Sequence, residues 1–185
     1  MIRISAGEFK GLCLEAPGII RPTGDKVRQA VMNIFGAGIQ GARVIDGYAG
    51  SGALGIESLS RGAAYVAFIE SEPQGFIAIR DNLARLEGQL ERHRFRVLNM
   101  LVERGLYELA KSEPPFDIIL FDPPYHTGEG RIALSTVAEC AILSPSGVVM
   151  VEHHRRDDIP ESAGVLRRFK QHRYGDTVLS FYQAS

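Results

Sequence analysis

The chain predicts an α/β protein: a mostly parallel sheet covered by helices on both faces, an antiparallel pair at its end, and a β-hairpin in front. Three observations predict it. From residue 43 onward, short apolar runs such as RVIDGY, AYVAFIE, FRVLN and FDIIL alternate with stretches of helical character, the pattern of a parallel sheet with crossover helices. The stretch IDGYAGSGALGIE joins the first of these strands to the next helix through three glycines. The last two strand-like runs, about 164–173 and 177–183, are separated only by Tyr174-Gly175-Asp176, a connection too short for anything but an antiparallel pair.

The elements follow in order. Residues 2–6 and 11–15 alternate polar and apolar side chains around Gly-Glu-Phe-Lys-Gly and read as the hairpin, an extension over 1–20 ahead of a single domain over 21–185. RPTGDKVRQAVMNIFG places Val27, Ala30, Val31, Ile34 and Phe35 at helical spacing and stops at Gly36 and Gly38. Helices are expected over ALGIESLSRG, from Pro73 to about Glu87, to about Lys111, and near 131–143, with GVVMVEH as a further strand.

Composition removes several classes of function. The chain has 185 residues, 45% of them hydrophobic, enough for one sizeable core. MIRISAGEFKG has no continuous apolar segment, and nowhere do eighteen apolar residues run together, so neither export nor membrane insertion is expected and the cytoplasm is the default. Cys13 and Cys140 lack the spacing of a disulfide framework or a cysteine-built zinc site, and no metal is expected. The net charge is −1, yet residues 1–43 hold six cations (Arg3, Lys10, Arg21, Lys26, Arg28, Arg43) against three anions. Such an end suits phosphates or is simply a solvated face.

Gly50, Gly52 and Gly55 fit G-x-G-x-x-G between a strand and a helix, and Glu70 falls twenty residues after Gly50 at the end of the next strand. Such glycines let backbone approach a ligand, the helix start offers free N–H groups, and the acid can accept ribose hydroxyls. A tight turn alone would also use them. An adenosine-bearing cofactor is the expectation. Asp46, at the carboxyl end of the first strand, opposes a pyrophosphate but favours the ammonium and sulfonium of S-adenosylmethionine, and so tilts the choice toward methyl transfer. It can equally cap the turn.

FDPPY then becomes intelligible, because it ends another strand and should share the crevice. An exocyclic amine on a base is a poor nucleophile until its nitrogen pyramidalises. Asp122 and the carbonyl of Pro123 can accept its two N–H bonds, Pro123 and Pro124 stiffen the turn, and Tyr125 offers a face for stacking. A rigid strand-ending turn with a capping aspartate is the plainer reading of the tetrapeptide. Gly128 and Gly130 make the next loop mobile or punctuate a turn.

With RPT…DKVRQAVMN at 21–33, DGYAGSGALGIESLSRGA at 46–63, DPPY at 122–125, VEH at 151–153 and YGDTVLSFY at 174–182, the chain resembles the bacterial 16S ribosomal RNA guanine-N2 methyltransferase family RsmD over nearly its whole length. The resemblance implies a seven-stranded Rossmann-like methyltransferase sheet with an antiparallel last strand, S-adenosylmethionine as cofactor, and a hairpin that helps grip RNA. By the same resemblance Asp46 and the loop Gly50, Ser51 and Gly52 hold the methionine part, Glu70 the ribose, and Asp122 to Tyr125 the target guanine; Tyr48 and Ala49 are further candidate cofactor contacts, and Asn99 either bonds the adenine or simply ends its strand. Arg3, Lys10, Arg21, Tyr125 and His126 are the candidate RNA contacts, and the partner is ribosomal RNA or an assembling small subunit, met by a monomer. Gly47, Tyr48 and Gly24 depart from the residues common in that family, as does Asn99, where many members carry an acid.

Two further expectations concern side chains. His153 and His154 are adjacent on a strand end, so their rings point to opposite faces and should not converge on one metal. The pair Arg155-Arg156, with Arg167, Arg168 and Lys170, either extends the basic surface or faces solvent. A DNA adenine-N6 methyltransferase and a non-catalytic RNA-binding module are the competing functions.

Overall fold

The computed structural model describes residues 2–16 and 24–185. Its core is a sheet built from β3 (Arg43–Gly47), β4 (Tyr65–Ile69), β5 (Phe95–Leu98), β6 (Phe116–Phe121), β7 (Leu143–His154), β8 (Ser162–Ala163), β9 (Leu166–Tyr174) and β10 (Thr177–Ala184). The spatial order is β5-β4-β3-β6-β7-β10-β9-β8. The first five are parallel, and β10 runs antiparallel to both of its neighbours, β7 and β9. The expected sheet is therefore present, with one addition: two residues of β8 pair with the start of β9.

Helices α1 (Asp25–Phe35), α2 (Ala53–Ser60), α3 (Pro73–Ala84), α4 (Val102–Ser112) and α5 (Glu129–Cys140) cover both faces. One apolar layer joins α1, α2 and α3 to the sheet through Val31, Ile56, Phe68 and Phe181; the other joins α4 and α5 through Leu106, Leu134, Phe121 and Tyr182. Alternating strand residues feed opposite layers, as Val44 and Ile45 do. α5 stops at Cys140, short of the expected 143, because Ala141 takes a left-handed conformation and the chain enters β7 early.

The N-terminal hairpin is reduced to β1 (Ile2–Arg3) and β2 (Cys13–Leu14), paired antiparallel. Only its base stays in ladder form because the tip turns inward: Ile4 and Phe9 are buried in the same layer as α1 and α2. Gly7, at φ +84°, lies so close to α2 that a β-carbon there would sit 1.8 Å from the Ser60 carbonyl oxygen. Ser5 adds a polar clamp, its N–H and hydroxyl both donating to the Glu57 carboxylate at 2.9 and 2.6 Å. The hairpin is thus docked along α2.

Candidate active site

β3 ends at Asp46 and Gly47, and the chain must then reverse into α2 within five residues. It does so with left-handed backbone at Tyr48, Gly50 and Gly52 (φ +61°, +55° and +77°). Gly52 precedes α2 directly, and a side chain there would be strained. Gly55 serves a different purpose: a β-carbon would lie 2.2 Å from the Phe68 ring, so its absence lets α2 lie against β4.

Carboxylates hold this loop. Asp46 accepts the Gly55 N–H at 2.8 Å, so the turn-capping reading is realised. Glu70, at the tip of β4, accepts the Gly50 N–H at 2.7 Å through one oxygen and the Glu72 N–H at 2.8 Å through the other. Asn99 in turn donates to the carbonyls of Glu70 and Ser71 at 2.8 and 3.2 Å. Ser51 is buried, and its carbonyl accepts from Asn82 at 3.0 Å. Three adjacent strand tips are laced into one rim.

The rim is acidic. Burial raises the Asp46 pKa well above the usual carboxylate range, and the charges of Asp122 and Glu70 add to the rise against the Gly55 hydrogen bond. Burial likewise raises Glu129, followed by Glu103 and Glu70. Tyr48, whose hydroxyl donates to the Glu129 carbonyl at 3.3 Å, is raised by burial and by Glu103 and Glu129. Five carboxyl groups, Asp46, Glu70, Glu103, Asp122 and Glu129, are thus linked by electrostatic influence along this rim, an environment that favours a cation.

β6 delivers the DPPY turn to the next tip. Asp122 follows Phe121, which pairs with Gly47 of β3 and Val151 of β7. Pro123 is buried and Pro124 exposed; the Pro124 carbonyl accepts the Thr127 hydroxyl at 2.8 Å. Tyr125 is half-buried, with its hydroxyl 2.9 Å from Glu152 and 3.0 Å from the Thr177 hydroxyl. Glu152, 3% exposed, is the residue that sequence reasoning missed. Burial, then the Asp122 charge, pushes its pKa up to about 8, against the Tyr125 hydrogen bond, which lowers it. The available signal was a lone acid inside the apolar run GVVMVEH; nothing in the sequence pointed to Thr177.

His126 sits at φ +65° with Nδ1 2.7 Å from an Asp157 oxygen. His153 points away to Ser180 Oγ at 2.9 Å, and burial lowers its pKa. His154 instead meets His126, their ring centroids 4.7 Å apart. One potential ligand atom from each of His126, His154 and Asp157 falls within 4.8 Å of the others. Adjacency of His153 and His154 did not foresee this trio, because its second histidine comes from another loop. The Asp157 carboxylate also accepts the His126 and His154 N–H groups at 3.2 and 2.9 Å, locking the two loops together. A cavity of about 290 Å³ lined by Pro123, Pro124, His126 and Arg156 adjoins this lock.

The structure therefore brings Asp46, Tyr48, Ala49, Gly50, Ser51, Gly52, Glu70 and Asn99 together along three strand tips, with Asp122 to Tyr125 on the fourth. Lys10 does not join them, whereas Arg3 pairs with Cys13 at the base of the hairpin, beside Glu15, whose backbone is bonded to the same Asn82 that donates to the Ser51 carbonyl. Lys10 is exposed on the hairpin tip, which contacts Ser60 at the far end of α2, roughly 12 Å along that helix from the glycine loop. Arg21 lies outside the described residues.

Comparison with known proteins accords with this geometry. Residues 2–183 match the family described as Conserved hypothetical protein 95. The chain is 33% identical over 171 residues to the ribosomal RNA small subunit methyltransferase D of Haemophilus influenzae, covering 90% of this chain and 86% of that protein. The solved structure of Escherichia coli yhhF, described as a methyltransferase, superposes with a TM-score of 0.83 at 30% identity, covering 100% of this chain and 98% of that one. SMU.776, a structure complexed with SAH, shares the fold at a TM-score of 0.64 and 15% identity, over 88% of this chain and 50% of its own. The chain belongs to the Conserved hypothetical protein 95 family.

Proposed function

We propose that this protein is an S-adenosylmethionine-dependent methyltransferase acting on the exocyclic N2 amine of a guanine in small-subunit ribosomal RNA. The carrying observation is that the acid of the DPPY turn and the glycine loop stand on neighbouring strand tips, Gly47 pairing with Phe121 and the Asp122 N–H lying 3.5 Å from the Gly47 carbonyl. The name of the Haemophilus influenzae relative supports the RNA class, and SAH in a protein of the same fold supports the cofactor.

The residues present fit that cofactor. The acidic rim suits a sulfonium and an ammonium and opposes a pyrophosphate. Glu70, while holding Gly50 and Glu72, retains lone pairs for ribose hydroxyls. Asn99 commits its NH₂ group to the β4 tip, leaving its carbonyl and backbone for the adenine edge. When bound, S-adenosylmethionine supplies an electrophilic methyl group.

The chain prepares the acceptor. Asp122 accepts one N–H of the guanine amine and the Pro123 carbonyl the other, drawing the nitrogen lone pair out of conjugation. Asp122 then takes the proton released as nitrogen gains its methyl group. The Tyr125 ring, tethered through its hydroxyl to Glu152 and Thr177, offers the stacking face. Most of the acceleration comes from holding these groups in place beforehand.

The experiment is incubation of the purified protein with methyl-labelled cofactor and unmodified small-subunit ribosomal RNA, followed by mass spectrometric mapping. N2-methylguanosine at one position, lost in Asp122→Ala, is the expected outcome. Label appearing on N6 of adenine in DNA, or on no nucleic acid, would replace this reading.

A further inference from the structure

The strand β9 carries features that neither the sheet nor the catalytic rim uses. Over Leu166–Tyr174 it holds Arg167, Arg168, Lys170 and Arg173 with no acid; Arg168 is committed to Glu161 at 3.0 Å, which leaves the exposed Arg167, Lys170 and Arg173 for a ligand. β8 pairs only with Leu166 and Arg167, and one further hydrogen bond, Arg168 N–H to the Glu161 carbonyl at 2.9 Å, ends the coverage of its outer side. From Phe169 to Tyr174 no strand among the described residues pairs with that side.

The ladder with β10 is interrupted at one point. Phe181 faces Lys170 while Tyr182 faces Arg168, so Phe169 is the extra residue of a β-bulge. A bulge re-aims its side chain: one part of the Phe169 ring meets buried Phe181, with centroids 6.4 Å apart, while the residue is left 52% exposed. Tyr174 is also exposed, and His172 Nε2 is buried without a hydrogen-bond partner. An edge protected only against self-association needs the charges but gains nothing from aromatic faces left in solvent.

Direction links this edge to the chemistry. β9 runs parallel to β7, since both are antiparallel to β10, and Tyr174 is paired with Thr177, which faces His154 on its other side. Thr177 is the residue whose hydroxyl meets Tyr125. The basic edge therefore ends at the catalytic rim after nine residues, on the order of 30 Å of strand.

We infer that the outer edge of β9 is a rail for the substrate RNA, its cations meeting phosphates and the bulged Phe169 stacking on a base outside the target site. The inference rests on the proposed RNA substrate. Charge complementarity names the occupant: a polyanion is drawn to this edge, whereas a second copy of the chain would bring the same exposed cations, Arg167, Lys170 and Arg173, against it. The pairing of positive groups with aromatic platforms is what sequence-tolerant single-strand binding requires.

The test uses the full-length protein, a fluorescein-labelled single-stranded RNA of mixed sequence, and anisotropy across a salt series. Lys170→Gln should weaken binding and lower the magnitude of the log–log salt slope by about 0.7, the signature of one lost phosphate contact. Phe169→Ala should weaken binding about fivefold or more without changing that slope. Both variants should bind SAH as the wild type does, since neither residue touches the cofactor rim. RNA affinity and slope unchanged in both variants, with SAH binding intact, would overturn the rail and leave the proposed function standing. Wild-type protein that binds SAH but no RNA would overturn both.

Discussion

The Tyr125 hydroxyl lies 2.9 Å from Glu152, which joins the DPPY turn on β6 to a buried acid on β7. Because Glu152 has a pKa of about 8 in the fold, it holds a proton at neutrality that the unfolded chain has already released. The stabilisation this proton provides is complete below the ordinary glutamate value near 4.5 and disappears as pH rises to about 8. Stability should therefore fall through that window, by at most about 1.4 kcal/mol per pH unit from this group. Glu152→Gln should flatten that portion of the curve and be the more stable protein at the alkaline end. Urea unfolding at several pH values measures both effects; parallel curves for the two proteins would contradict the assignment.

Removing the acid of the turn should separate catalysis from binding. Asp122→Ala is expected to lower the methyl-transfer rate by about a hundredfold or more, while SAH and RNA affinities change little. Single-turnover assays with parallel calorimetry resolve the two. Equal loss of rate and SAH affinity would instead make Asp122 a structural support of the cofactor rim.

Glu70→Ala removes the acceptor of two backbone N–H groups at 2.7 and 2.8 Å. The glycine loop loses its tether and, on the proposed reading, the ribose loses its partner. SAH affinity should drop by more than tenfold and the fold should lose about 1–3 kcal/mol. Calorimetric titration and denaturant midpoints report the two losses independently.

Gly55→Ala tests packing without touching any polar group. The added carbon would lie 2.2 Å from one atom of the Phe68 ring and 2.9 Å from a Val66 methyl, both fully buried. Relief requires α2 to lift from β4, at about 1–3 kcal/mol. Thermal denaturation should show the decrease, and a second variant, Phe68→Leu combined with Gly55→Ala, should recover part of it.

Tyr125→Phe retains the ring and removes its tether to Glu152 and Thr177. RNA methylation should show a higher KM for RNA with unchanged SAH affinity. An unaltered KM would mean that the hydroxyl does not orient the ring.

Local patterns determined much of this protein before any coordinates. Apolar runs of strand length alternating with helical spacing pointed to a mostly parallel sheet, and the glycines after RVIDG with the acid at Glu70 fell on neighbouring strand tips. These features were legible because strand period, turn chemistry and crossover handedness act over a few residues at a time. Tertiary structure alone decided the rest. Glu152 and Thr177 reach Tyr125 from 27 and 52 positions away, His126 meets His154 rather than a sequence neighbour, and Lys10 is carried away from the rim because the hairpin docks along α2. Burial and electrostatic coupling depend on which distant groups share a low-dielectric space, and no local periodicity encodes that meeting.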